Sequence, residues 1–143
     1  MSDSNTTFRY KKVMVIDDTQ VDRYIAERNI KHYGFAEEVI SMDSANSALK
    51  FLAGIIDEKD LPQYIFLDIR MPEIDGFGFL EKYAQLPPPV KQNCIVMMLS
   101  TSLNPGDHER AKNNEYVKRF LNKPLTKEKL ESILSDPELK NVV

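Results

Sequence analysis

The chain has no tryptophan, a single cysteine and two histidines among its 143 residues. One thiol, Cys94, cannot form an intramolecular disulfide, and a metal centre built on several thiolates or imidazoles is excluded with it. Its position inside an apolar run reads as a small buried side chain. His32 falls near the end of a predicted helix, where a cation suits the helix dipole. His108 lies in a charged segment and reads as solvated. Charge of one sign is also missing: 19 basic and 22 acidic residues are interspersed, for a net charge of -3. Without a basic patch, no direct contact with nucleic acid is expected. No apolar run is long enough to cross a bilayer, and the polar stretch Met1 to Thr7 lacks the core of a signal peptide. The expectation is a cytoplasmic protein without membrane association.

What is present is a hydrophobic content of 42%, enough for one domain with a real core. Residues 1–9 read as a flexible leader, 10–135 as the domain and 136–143 as a C-terminal tail. Within the domain, strand and helix patterns alternate five times. A strand around Val13–Ile16 precedes a helix over 19–33 with a mixed face of Val21, Tyr24, Ile25, Arg28 and Tyr33, closed by Gly34. A strand at 38–42 precedes a helix with Ala45, Ala48, Leu49, Leu52 and Ile56 on its apolar face. The strand at 61–68 leads through Pro72 and Gly76 into a helix over 77–84, which Pro87-Pro88-Pro89 ends. In that helix Phe77, Phe79 and Tyr83 read as core. The strand at 94–100 leads to Asn104-Pro105, an N-cap with proline at the first helical position. The helix that follows, to about Asn114, has almost no apolar stripe. The last strand, 117–121, precedes a helix capped by Thr126, with Leu125 and Leu130 as a hydrophobic staple and Asp136-Pro137 as its stop.

This alternation points to an α/β, doubly wound (βα)5 fold with a parallel sheet covered on both faces. The runs at 13–16, 64–67 and 95–99 are apolar throughout, as in strands buried on both sides, whereas 38–42 and 117–121 carry the polar residues of edges. The flavodoxin-like order 2-1-3-4-5 satisfies both conditions, and its switch point falls between the first and third strands.

Four strands then end on reactive side chains at the same sheet edge: Asp17-Asp18, Asp68, Ser100 and Lys123-Pro124. Each has a plainer explanation: an N-cap pair, a strand-terminating acid, a strand-end hydroxyl and a solvated turn. Their shared position is what separate explanations leave unaccounted for. Three crowded carboxylates repel one another unless a cation or a proton intervenes. Mg2+ is the natural candidate, a hard ion held by one or two carboxylates with phosphate oxygens. A carboxylate can then attack a phosphoryl group, with Lys123 and Ser100 stabilising the equatorial oxygens. Asp68 stands alone at the end of a central strand and is the expected nucleophile. The adjacent pair Asp17-Asp18 suits the metal.

These residues, with Leu67-Asp68-Ile69-Arg70-Met71-Pro72 and Gly76, resemble the CheY-like receiver domain of two-component response regulators over about residues 10 to 135, in a stand-alone form. The order 2-1-3-4-5 belongs to that family. The resemblance implies that Asp68 accepts a phosphoryl group from a histidine kinase or phosphotransfer protein, and that the domain catalyses its own phosphorylation and dephosphorylation without being a conventional enzyme. It further implies that Mg2+ is held by Asp18 directly, by Asp17 largely through water, by Asp68 and by the backbone carbonyl of Arg70. Ser100 and Phe120 match the hydroxyl and aromatic of the family's conformational switch, and the Lys123-Pro124 bond is cis. Thr101 departs from the smaller residue usual at its position, and Glu115-Tyr116 stands where a Gly-Ala pair is common. Arg70 and Ser102 occupy variable positions that influence the lifetime of the phosphorylated form.

The weakly apolar helix at 105–114, with the following strand and helix, reads as the face that carries the signal over 105–134. Output is expected through protein contact or onward phosphotransfer. Two other readings compete. A phosphatase of the haloacid dehalogenase type would use Asp17 as nucleophile, but Thr19 replaces its second aspartate and the downstream acidic motif is missing. An unphosphorylated interaction module would have no need of every reactive side chain.

Overall fold

The computed structural model describes residues 7–140. Residues 1–6 of the predicted leader and 141–143 of the predicted tail therefore lie outside the described residues. The elements run β1 (Tyr10–Ile16), α1 (Gln20–His32), β2 (Ala36–Met42), α2 (Ala45–Ala53), β3 (Tyr64–Leu67), α3 (Gly76–Tyr83), α4 (Pro88–Asn93), β4 (Ile95–Ser100), α5 (Pro105–Lys112), β5 (Val117–Asn122), α6 (Lys127–Leu134) and α7 (Pro137–Lys140). All strand pairs are parallel, and the sheet order is β2-β1-β3-β4-β5. This is the flavodoxin-like order expected from the strand compositions. Every residue of β3 and β4 is buried, whereas β2 and β5 are mostly exposed or half-buried, with only Ala36 and Leu121 buried in them.

Side-chain alternation along the central strands divides the interior in two. Val13, Val15, Tyr64, Phe66, Ile95 and Met97 pack on one face with Ala26 and Ile30 of α1 and Leu130 and Ile133 of α6. Met14, Ile16, Ile65, Leu67, Val96 and Met98 pack on the other face with α2, with Phe77, Phe79 and Tyr83 of α3, and with Ala111 of α5. Burial of side chains of this size stabilises by roughly 1.5–3 kcal/mol each. The two layers hold the sheet rigid from both sides.

Local signals act where expected in most places. Gly34 takes φ +72 just past α1, and its N–H bonds to the Lys31 carbonyl. Asn104 accepts from the Gly106 N–H ahead of α5, and Thr126 accepts from the Lys129 N–H ahead of α6. Leu125 and Leu130 are both buried beside that cap.

Three local readings are corrected. On α1 the buried residues are Ala26 and Ile30, while Val21, Tyr24 and Tyr33 are exposed, so the face toward the sheet is built from smaller side chains than the periodicity predicts. Ile56 is 99% exposed because α2 ends at Ala53 and the chain turns away. The proline run does not close α3, which has already ended at Tyr83. Instead Pro88 opens α4, a position where its missing N–H costs nothing. α6 ends at Leu134, just before Asp136-Pro137 as expected; Pro137 then starts a short helix whose Leu139 is buried against the α1/α6 layer.

Candidate functional site

The backbone positions the site before any side chain does. Each reactive residue lies just past a strand end, or at it, where the parallel ladder still holds it. The Asp17 N–H bonds to the Met42 carbonyl, that of Asp68 to Ile16 and that of Lys123 to Ser100, each at 3.0 Å. Side chains carried on so rigid an edge are held within a small range of positions.

At that edge, carboxylate oxygens of Asp17, Asp18 and Asp68 lie within 4.8 Å of one another. Asp17 and Asp68 are buried, and Asp18 faces solvent. The Lys123 ammonium reaches into the group, 2.6 Å from Asp17 Oδ2, 2.8 Å from Asp22 Oδ2 and 3.4 Å from Asp68 Oδ2. The Lys123-Pro124 bond is cis, as the resemblance implies. Asp17 Oδ1 accepts from the Thr19 N–H, and Asp68 Oδ1 accepts from the Ile69 N–H. Ser100 is buried, and its Oγ accepts from the Ser102 N–H.

Burial pushes the Asp68 carboxyl above the ordinary range, and the nearby Asp17 charge adds to this while Lys123 opposes it. For Lys123, burial pulls downward, but hydrogen bonds to Asp17 and Asp22 and the attraction of Asp68 and Asp17 outweigh it, so the ammonium is held above an ordinary lysine. The pocket thus combines a nucleophile that is costly to ionise with a cation that stays charged.

Gly76 explains how the loop after Asp68 closes so tightly. Its N–H bonds to the Ile69 carbonyl, and a Cβ there would lie 2.4 Å from the Asp68 carbonyl oxygen. Glu73 in the same loop adopts φ +68, with the Ile74 N–H bonded across it to Pro72.

Sequence reasoning missed three features. Asp22, in the first turn of α1, holds Lys123 across 101 residues of chain, and no local pattern in the sequence signals that contact. Asp107 is buried in the first turn of α5, where its Oδ2 accepts from Arg70 at 2.5 Å and from Ser102 Oγ at 2.6 Å. His108, read as solvated, is instead half-buried. Its ring stacks on Phe120 at 4.0 Å between centroids, and its Nε2 lies 3.0 Å from the Ser102 carbonyl oxygen. A cavity of about 300 Å³ opens beside Lys123 and Pro124, bounded by Ile25, Ala26 and Thr101.

The donor set fits a hard divalent cation. It is all oxygen, brings three carboxylates together and has an exposed side at Asp18 through which the ion and its waters enter. Neither histidine belongs to that group, and Cys94 is buried in the core, its thiol pushed up to about 12 by burial.

Comparison with known proteins agrees with this geometry. The family model described as "Response regulator receiver domain" matches residues 13–135. Protein PilG of Pseudomonas aeruginosa is 34% identical over 125 residues, covering 83% of this chain and 81% of that protein. The histidine kinase CKI1 of Arabidopsis thaliana is 35% identical over 77 residues, which is 48% of this chain and 7% of the kinase. The chain therefore spans a small fraction of that relative's length. Among solved structures, a two-component response regulator from Cytophaga hutchinsonii superposes with a TM-score of 0.82 at 30% identity, covering 92% of this chain and 97% of that one. Receiver domains take phosphoryl groups from histidine kinases and bind Mg2+ or Mn2+ at an acidic pocket. With a family match across most of its length and an acidic, lysine-bearing pocket at the switch point of its sheet, this chain belongs to the response regulator receiver domain family.

Proposed function

We propose that Asp68 is the phosphoacceptor of this receiver domain, that the phosphoryl group comes from a histidine kinase or phosphotransfer protein, and that Asp17, Asp18, Asp68 and the Arg70 backbone carbonyl hold Mg2+. The observation that carries the reading is the convergence of three carboxylates within 4.8 Å, with the Lys123 ammonium among them. When bound, Mg2+ supplies positive charge that offsets the crowded carboxylates and the transferring group. An Asp68 oxygen forms a bond to phosphorus as the bond from phosphorus to the donor imidazole nitrogen breaks, and the imidazole, already protonated on its other ring nitrogen, leaves neutral with the electron pair of the broken bond. Lys123 turns part of its charge from Asp17 toward the phosphoryl oxygens, and the Ser100 hydroxyl donates to one of them. The same pocket, open to water at Asp18, supports self-catalysed hydrolysis of the product. Phe120, half-buried on β5 in register with Met98, two residues before Ser100 on the neighbouring strand, supports a switch read out on the 105–134 face.

Incubation with Mg2+ and a small acyl phosphate tests this by intact mass. The expected result is one base-labile phosphoryl group, absent in Asp68→Asn. No uptake by the folded wild type, or uptake unchanged in Asp68→Asn, would overturn the assignment. Amide exchange unchanged across 103–134 on loading would remove the proposed output face.

A further inference from the structure

The buried carboxylate of Asp107 has no part in the pocket itself, yet it joins two groups that flank it. Arg70 follows Asp68 by two residues, so the two Cα atoms are no more than about 7 Å apart. Ser102 follows Ser100 by two residues, and its N–H already bonds to Ser100 Oγ. Both side chains end on one oxygen of Asp107, which is 12% exposed, while the Arg70 side chain is 63% exposed. Asp107 lies next to His108, the residue that stacks on Phe120. One carboxylate in the first turn of α5 therefore ties the loop after β3 and the loop after β4 to the helix that covers the aromatic.

We propose that Asp107 is a latch for the resting state: it holds the Arg70 guanidinium away from the phosphoacceptor, and the phosphoryl group on Asp68 draws Arg70 off it. This rests on Asp68 being the phosphoacceptor. The competition favours the phosphoryl group, which offers about −1.5 to −2 charge and three acceptor oxygens in a form that guanidinium binds bidentately. Asp107 offers one charge, on an oxygen already shared with Ser102. Arg70 is exposed along most of its length, so the exchange requires rotation of a flexible side chain and no opening of the core. Once Arg70 leaves, Asp107 keeps its bond from Ser102 Oγ but no longer ties the first turn of α5 to the loop after β3. The His108 ring, anchored to the Ser102 carbonyl, is then free to shift and release Phe120. Arg70 is thus a positioning residue for the phosphorylated state, and Asp107 for the resting one.

The test is a double-mutant cycle on the affinity for beryllofluoride, a phosphoryl mimic, in saturating Mg2+, followed by calorimetry. Arg70→Ala is expected to weaken the adduct about five- to tenfold, and Asp107→Asn to strengthen it about threefold to tenfold by freeing the guanidinium. In an Arg70→Ala background, Asp107→Asn is expected to change nothing beyond about twofold, because the competing partner is gone. A purely structural Asp107 would shift affinity equally with and without Arg70, and that outcome overturns the latch. Should Asp107→Asn fail to fold, Arg70→Ala alone decides: amide exchange at 102–108 in the resting protein is expected to rise toward the level of the beryllofluoride form, and no rise overturns the proposal. Adduct formation with an additive cycle removes the latch and leaves the Asp68 assignment intact, whereas a folded wild type that forms no adduct removes both.

Discussion

The Lys123 ammonium stands 2.6 Å from Asp17 and 3.4 Å from Asp68, so the resting lysine pairs more closely with Asp17, a proposed metal ligand, than with the proposed nucleophile. With Asp22 as its second partner at 2.8 Å, it stands where a cation would otherwise neutralise Asp17. On the proposed assignment, lysine and metal would therefore compete for the same charge until a phosphoryl group gave the lysine another partner.

Replacement of Lys123 by Ala should accordingly have two opposed effects. The buried Asp17 and Asp68 lose their counter-charge, and unfolding in urea is expected to show a loss of roughly 3–5 kcal/mol in the absence of Mg2+. Mg2+ affinity should rise roughly tenfold in the same variant, as removal of a competing charge requires. Phosphoryl uptake from a small donor should fall sharply. Mg2+ affinity that drops along with uptake would show that the lysine assists metal binding.

The raised Asp68 carboxyl makes stability depend on pH in a definite direction. An unfolded aspartate titrates near about 3.9, whereas burial and Asp17 hold the native group higher. The native state then binds the proton more tightly, so this contribution is fully present below the unfolded value and is lost as pH rises through the native one. Asp68→Asn should therefore be more stable than wild type at neutral pH, by roughly 1 kcal/mol, with the difference closing as pH falls toward about 4. Saturating Mg2+ should erase it. Denaturation midpoints across that range, with and without the metal, are the measurement, and an equal difference at every pH would refute the account.

Gly76 and Gly78 provide a matched pair. A Cβ on Gly76 meets the Asp68 carbonyl at 2.4 Å, backbone against backbone, so Gly76→Ala should cost roughly 1–3 kcal/mol and slow phosphoryl uptake by displacing Asp68. On Gly78 the new Cβ meets the Ile74 Cγ2 methyl at 2.8 Å, a side-chain contact that does not involve the Asp68 backbone. Gly78→Ala is expected to leave uptake near the wild-type level. Equal losses of uptake in both variants would mean that the close approach at Gly76 does not position the site.

The strand order was legible because burial on two faces leaves its mark directly on composition: Tyr64–Leu67 and Ile95–Ser100 have no exposed position, and Val117–Asn122 does. Helix faces were less legible. Ala26 and Ile30 carry the contact of α1 with the sheet, and alanine contributes little to an apolar pattern, while the larger Val21 and Tyr24 dominate the periodicity and point to solvent. The proline run was misread as a stop because proline both ends helices and starts them, and only the path of the chain after Tyr83 decides which.

The amino-acid order by itself determined the α/β alternation, the central and edge strands, and the placement of Asp17, Asp18, Asp68, Ser100 and Lys123 at one end of the sheet. All of that follows from local periodicity and from the rule that parallel strands share a carboxyl edge. Tertiary structure alone decided which partner each charge takes. Asp22 on Lys123, Asp107 between Arg70 and Ser102, and His108 on Phe120 join segments far apart in the chain. Such contacts depend on how helices lie against the sheet, to within an ångström, and residue spacing carries no record of that distance.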